Sequence, residues 1–420
     1  MTSYLEIARA LEAASREERR VQKAEVIGSL LKRAPPEILR PIVRLVSGEL
    51  WPPWEPREMG VGPEILGGVL RELSGQGGAS EAAPSELGDL AETVVVSLSQ
   101  QTLNSSEMEA VRVYDALRQI SAQKGAGAVF RKRSLLMGLF LNSSPLEAKY
   151  IARTVLGGTI VGLGPSLISA AVGKAFSVDE HLVRRAYARL PDLGMVALHA
   201  FNGDIFEVKL APPNPPLFMP FRREKGPEAA VERAGTAACV FRYGGLRVQI
   251  HKLNDRIFIY TRQLRNVTPS LADLADEMMG ARGNMILEGE FLLTRDGRVL
   301  KRSEMVGRIN LKGRSRGSEE TLFAASDLLF IDGRSVIDEG YAQRRKLLNR
   351  ALREVAGPPL HGTVFLAEER VVKDPGGAMD ILRSSLGRGY AGLFIRDLNG
   401  AYTPGRVSGE NVAVSPSPPY

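Results

Sequence analysis

At 420 residues, 44% hydrophobic and 25% charged, the chain is long enough for two domains and excludes wholesale disorder, and its formal net charge of +7 suits a polyanionic partner such as nucleic acid. One cysteine, Cys239, excludes a disulfide framework or a cysteine metal site, and the four histidines (His181, His199, His251, His361) lack ligand spacing. No signal pattern opens the chain and no apolar run approaches the roughly 20 residues that cross a bilayer, so a soluble cytoplasmic protein is expected.

Ser3 and Glu6 form a capping-box pattern ahead of apolar Leu5, Ala8 and Leu11, which predicts a helix. PPEILRPIVRLVSGEL opens another on prolines and ends it near Gly48. The stretch from Gly75 to Gly88 is rich in glycine, serine and proline and reads as a linker within a helical region. In SSPLEAKYIARTVLGG, Ser144 is the cap, Pro145 takes the first helical position, Glu147 closes the box and Gly157 is the stop. FSVDEHLVRRAYARL repeats the device with Ser177 and Glu180. Residues 1–205 are expected to be all helical.

The run LAPPNPPLFMP, Leu210 to Pro220, marks a change of architecture. In FRYGGLRVQIHK, Phe241 to Lys252, a Gly-Gly pair gives the backbone freedom that other residues lack. Val248 and Ile250 then alternate with Gln249 and His251 at strand period, so the stretch reads as a turn entering a strand at the lip of a ligand pocket. RVQIHK and RIFIYT form one hairpin across LND; GEFLL and RVLKR form another across the Asp-Gly turn of TRDG. DLLFIDG and GLFIRDL are further strands, with helices at PSLADLADEMM and QRRKLLNRALREV. Residues 206–420 therefore read as an α+β domain with antiparallel sheets, and the end of RVSGENVAVSPSPPY as frayed.

This ordered set of motifs resembles the ATP-dependent DNA ligases, most closely the archaeal kind. SYLEIARALEAAS, SGELWPPWEPREMGVG, LGDLAETV, SPLEAKYIARTVLGG and AFSVDEHLVRRAY are similar to the helical DNA-binding domain of that family. RYGGLRVQIHK, YTRQLRNVT, ILEGEFLL, SDLLFIDG and GYAGLFIRDLNGAYTPG are similar to the motifs of its ATP-grasp-like adenylation (nucleotidyltransferase) domain. The resemblance implies a fold that is α, then α+β. It also implies a three-step transfer: a lysine attacks the α-phosphate of ATP, the AMP passes to a 5′-phosphate at a DNA nick, and the 3′-hydroxyl displaces it.

The family's nucleophile motif is lysine, any residue, aspartate, glycine, and here Arg242, Tyr243, Gly244 and Gly245 stand in those places. A guanidinium with a pKa above about 12 is not deprotonated to a useful nucleophile, so no intact catalytic residue is expected. Lys209 runs into LAPPNPP instead of the turn, and Lys252 lies farther along the strand; neither is expected to substitute. Arg247, Arg262 and Glu290 match positions that contact phosphate and ribose or support the metal. They are the candidate nucleotide-pocket residues, with Glu290 also the candidate metal ligand, and ATP and magnesium are expected only if this residual pocket still binds them. Ser326 stands where the resemblance implies an adenine-stacking ring, Ala391 where it implies a metal-linked glutamate, and Arg396, Ala413 and Ser415 where it implies lysines. The family's C-terminal OB-fold barrel has no counterpart before Tyr420 and is expected to be absent.

For DNA, Gly88 and Asp89 with Glu92 match a helix-opening motif of the family, with Ala91 in place of a second glycine; amides at a helix start can grip a phosphate. Lys149 and Arg153 share one helix face and are candidates for neighbouring phosphates, against the plainer reading of a solvated face. Ile160, with Val161 before Gly162, replaces an arginine the family usually has, which removes about one unit of salt slope. The expected function is a pseudo-ligase that binds double-stranded or nicked DNA, or a replication or repair protein, without adenylating itself. An active ligase with an unusual or partner-completed site and a purely protein-binding scaffold are the alternatives.

Overall fold

The computed structural model describes residues 2–415 apart from position 56 and segments 75–85, 100–106, 159–161, 312–318 and 408–410. The expectations at Ile160 and Val161, for most of the linker from Gly75, and for the last residues of the chain lie outside the described residues. The chain divides into two compact units, Met1–Val208 and Lys209–Tyr420.

The described residues of the first unit form eleven α-helices and no strand. They are α1 (Tyr4–Arg16), α2 (Arg20–Arg33), α3 (Pro36–Ser47), α4 (Pro63–Ser74), α5 (Leu87–Ser99), α6 (Ala110–Ala122), α7 (Ala128–Leu141), α8 (Pro145–Val155), α9 (Pro165–Phe176), α10 (Glu180–Arg189) and α11 (Leu193–Asn202). Ser3 caps α1: its hydroxyl accepts from Glu6 N at 3.2 Å, while the Glu6 carboxylate accepts from Ser3 N at 3.1 Å. A cap of this kind contributes about 1 kcal/mol. Gly48 ends α3 with φ 74, the left-handed conformation glycine adopts without steric cost. At α8, Glu147 accepts both the N–H and the hydroxyl of Ser144, each at 2.8 Å.

The start of α10 differs from the sequence reading. Ser177 (φ 56) is the left-handed end of α9, and the cap is Asp179, which accepts from His181 N at 2.6 Å. A carboxylate two residues later satisfies the free amides and leaves the serine to close the preceding helix. A buried ion pair joins distant helices: Arg44 on α3 meets Asp192 at 2.7 Å, and Asp192 also caps α11 through Gly194 N at 3.1 Å.

The second unit contains β1 (Arg222–Glu224), α12 (Glu228–Ala234), β2 (Ala237–Arg242), β3 (Leu246–Leu253), β4 (Arg256–Thr261), α13 (Ala272–Met279), β5 (Met285–Arg295), β6 (Arg298–Val299) and α14 (Arg302–Asn310). It continues with β7 (Glu320–Ile331), β8 (Arg334–Ser335), α15 (Tyr341–Ala351), β9 (Val364–Leu366), β10 (Glu369–Val372), α16 (Pro375–Gly387), β11 (Gly392–Asp397) and β12 (Asn411–Val414). One sheet has the order β1-β12-β11-β2-β10; the other runs β4-β3-β5-β7-β8, with β6 on β5 and β9 on β7. Pairing is antiparallel except for β1 with β12 and β7 with β9. Residues of both sheets, among them Val240, Leu393, Phe291 and Phe323, share one apolar core.

The Asp-Gly turn is present, with Asp296 at φ 51 and Gly297 at φ 72, but the strand after it is only two residues long because α14 begins at Arg302. The alternation along β3 does not separate a dry face from a wet one, since Gln249 and His251 are both 0% exposed. The segment after the unit boundary reaches Gln249, and His251 lies against Tyr260. Gln249 Nε2 donates to Pro216 O at 3.4 Å, and Leu210, Met219 and Tyr402 pack with Ile286, Leu329, Phe330 and Ile337 in a second small core.

Candidate functional site

Strand β2 ends at Arg242, the chain turns through Tyr243, Gly244 and Gly245, and β3 starts at Leu246. Gly244 has φ +90, and a Cβ on Gly245 would lie 2.4 Å from Phe291 O, so the turn needs both glycines. Glu290 on β5 secures it by accepting Tyr243 N–H at 2.8 Å. Burial pushes the Glu290 carboxyl above its usual range, opposed by the Tyr243 N–H, the nearby Arg242 charge and the amides of Gly245 and Gly244.

The turn walls a cavity of about 1180 Å³. Arg242, Arg247, Arg262 and Glu290 all line it, as do Ala391, Ala413 and Ser415. The sequence reading missed Arg223, Lys225, Arg265 and Arg302, which line the same cavity. The basic run Arg222–Lys225 was visible in sequence, but only the pairing of β1 with β12 brings it here.

Arg242 sits 5.8 Å from the Phe394 ring centroid, and its guanidinium makes no hydrogen bond to a described residue. Burial lowers its pKa; Glu290 opposes that, and Arg223 and Arg302 add to it. Arg247 is held more firmly: it pairs with Glu288, donates to Met219 O at 3.0 Å and lies 4.6 Å from the Phe221 centroid. Burial opposes its charge, but Glu288 outweighs burial and the pKa is raised. Arg262 is exposed on the wall.

Two of the positions with implied ligand roles are not on the wall. Ser326 is 8% exposed and donates to Glu288 O at 3.2 Å. Arg396 is 1% exposed and turned inward to Asp327 at 3.1 Å, beside Arg344, whose Nε lies 2.8 Å from the same carboxylate. Position 396 keeps a positive charge, but Asp327 uses it. Lys209 and Lys252 also lie off the wall, and Lys252 Nζ donates to Met279 O at 3.0 Å.

A magnesium ion is usually bound through one or two carboxylates plus waters and substrate phosphates. Glu290 is a single carboxylate that already accepts an amide and has a guanidinium near it, and Ala391 offers no oxygen. Among the described residues no group of three histidine, cysteine or acidic side chains gathers. These residues do not fit a resident metal centre.

In the helical unit, Gly88 and Asp89 lie in the first turn of α5. Lys149, with a side chain 13% exposed, has its ammonium 3.2 Å from Glu12, 3.2 Å from Glu92 and 3.5 Å from Asp89. Arg153 pairs with Asp89 at 3.1 Å. The two cations expected to face phosphates are engaged by carboxylates of α1 and α5, which ties α8 to both helices. No described helix is long and apolar enough to cross a membrane.

A helical unit followed by a two-sheet unit whose β2–β3 turn lies over a strand carboxylate is the layout of a ligase-type nucleotidyltransferase. Residues 3–172 match the family model described as DNA ligase N terminus, and residues 221–412 match the one described as ATP dependent DNA ligase domain. A DNA ligase of Thermococcus fumicolans is 32% identical over 94% of this chain and 72% of its own length. One of Methanoculleus marisnigri is 30% identical over 96% of this chain and 73% of its own. The solved structure titled Pmar-Lig_PreS3 aligns over 98% of this chain and 78% of that chain at a TM-score of 0.57 and 10% identity, a likeness of fold. The chain belongs to the ATP-dependent DNA ligase family.

Proposed function

We propose that this protein is a ligase-derived DNA-binding protein that does not adenylate itself, acting at nicks or ends, or on a repair partner, in DNA repair, replication or recombination. The observation that carries this reading is Arg242 at the nucleophile turn: its guanidinium lies on the cavity wall, over the Phe394 ring, and has no free amine to bond to the α-phosphate. Family membership and the basic cavity support contact with DNA. The test is incubation with radiolabelled ATP and magnesium followed by denaturing electrophoresis. No labelled protein band is expected; a band that survives denaturation would overturn the reading.

One observation favours a second reading, an active enzyme with a displaced nucleophile. Lys225 is the one lysine among the described residues of the cavity wall. If it served, labelled protein would form and would vanish in Lys225→Gln. Sealing of pre-adenylated nicked DNA, which bypasses the first step, would test the rest of that site independently.

A further inference from the structure

Among its described lining residues the cavity presents cations without ion pairs but no aromatic ring free of another ring. Recognition of a nucleobase relies on a free aromatic face, with stacking worth about 1–3 kcal/mol per base. Two aromatic rings line this cavity among its described residues, Phe221 and Phe394, and they stack on each other with centroids 4.3 Å apart at 23°. Guanidinium groups occupy the rings as well: Arg247 at 4.6 Å and Arg396 at 5.0 Å from the Phe221 centroid, and Arg242 at 5.8 Å from that of Phe394. Ser326, turned to Glu288 O, offers no replacement ring.

The cations are arranged differently. The side chains of Arg223, Lys225, Arg242 and Arg262 line the cavity without a hydrogen bond or ion pair to any described residue. Of the two lining carboxylates, Glu224 is taken by Arg222 and Arg233, at 2.9 and 2.6 Å, and Glu290 holds the turn. Four cations without an ion pair to a described residue around one cavity suit a group that carries several negative charges in a small volume and offers many acceptor oxygens.

We infer that this cavity binds a phosphate-rich group, such as a 5′-terminal phosphate or an oligophosphate, irrespective of any attached base. This deepens the proposed function and rests on its reading that no adenylate forms. The ligand chemistry can come from a free oligophosphate or from a phosphorylated DNA end, and separate arms of the test distinguish them.

Titration calorimetry at low salt compares inorganic triphosphate, ATP and adenosine. Triphosphate and ATP are expected to bind within about threefold of each other and adenosine not at all, and Arg223→Gln with Lys225→Gln should weaken triphosphate at least tenfold at unchanged melting temperature. In a second arm, a nicked duplex with a 5′-phosphate should bind more tightly than one with a 5′-hydroxyl if the DNA end is the source. Equal binding of the two duplexes, with triphosphate still bound, would assign the site to free oligophosphate. ATP binding ten times tighter than triphosphate, with adenosine competing, would overturn the inference, as would no detectable triphosphate binding. These failures are separable from failure of the proposed function, which is read from a covalent adduct and not from affinity.

Discussion

Gly244 and Ala391 pack against each other at the lip of the cavity: a Cβ built on Gly244 would lie 3.2 Å from the Ala391 Cβ, and Ala391 N–H donates to Arg242 O at 2.8 Å. The family pattern has carboxylates at both places. Here both side chains are minimal, so the turn closes where an acidic pair would stand. Arg242→Lys, which returns an amine to the turn, is therefore still expected to yield no labelled protein with radiolabelled ATP. Preorganised charge at the transition state contributes about 3 kcal/mol per contact, and several contacts remain missing. Gly244→Asp is expected to cost about 1–2 kcal/mol of stability, because position 244 is held at φ +90 and is in contact with Ala391. The urea midpoint reads that loss.

Asp327 is 0% exposed and lies between Arg344, at 2.8 Å, and Arg396, at 3.1 Å. Burial alone would raise its pKa, but the two guanidinium groups outweigh burial and hold it below the usual carboxylate range. Removing the shared carboxylate in Asp327→Ala leaves two buried cations unpaired and is expected to cost about 3–5 kcal/mol. The sign with pH follows from the lowered folded-state pKa. The stabilisation is complete above the unfolded value, near 3.9, and is lost as pH falls through the folded value. Melting curves below about pH 4 should therefore fall more steeply for the wild type than for Asp327→Asn, which has no proton to take up. Parallel curves would mean the carboxylate does not carry this dependence.

His251 on β3 also costs stability on acidification, but in a higher pH window. It is fully buried against Tyr260, with ring centroids 5.0 Å apart, and burial pushes its pKa down to about 3. Above about pH 6.5 the imidazole is neutral in both folded and unfolded chains and gives no pH slope. Below that value the unfolded chain binds a proton that the folded chain refuses, so stability declines by about 1.4 kcal/mol per pH unit until the folded value is reached. His251→Gln should remove that slope between pH 6 and 4.5 while lowering stability at pH 7. Guanidinium denaturation at a series of pH values separates the two effects.

Local rules made the helix ends at Ser3, Gly48 and Ser144 legible, because capping involves residues only a few positions apart. The same rules placed a cap at Ser177 where Asp179 competes for the same amides. Strands β1 and β12 escaped sequence reading because each is short and exists through pairing with a distant partner. Arg242 and Glu290, both singled out from the family pattern, lie on one cavity wall because Arg242 ends β2 and the Tyr243 N–H that follows it donates to Glu290 on β5. The family pattern could not show that Arg396 turns to Asp327, or that Arg223 and Lys225 replace its charge on the wall, because those outcomes depend on which carboxylate each cation meets after folding.

Lys149 decides between a phosphate contact and a structural tie. Its ammonium is surrounded by Glu12, Asp89 and Glu92, and although burial opposes its charge, hydrogen bonds to Glu12 and Glu92 raise its pKa. Lys149→Met would strip Glu92 of its cation, while Asp89 keeps Arg153 and Glu12 keeps Arg16, and a loss of about 1–3 kcal/mol is expected from the uncompensated carboxylate between α1, α5 and α8. A cation that neutralises a DNA phosphate also contributes close to 0.9 to the slope of log affinity against log salt. The structural role predicts a lower urea midpoint with that slope unchanged on nicked duplex, and partial recovery of stability when Glu92→Gln is added. A slope reduced by nearly one unit at unchanged stability would instead assign Lys149 to the DNA.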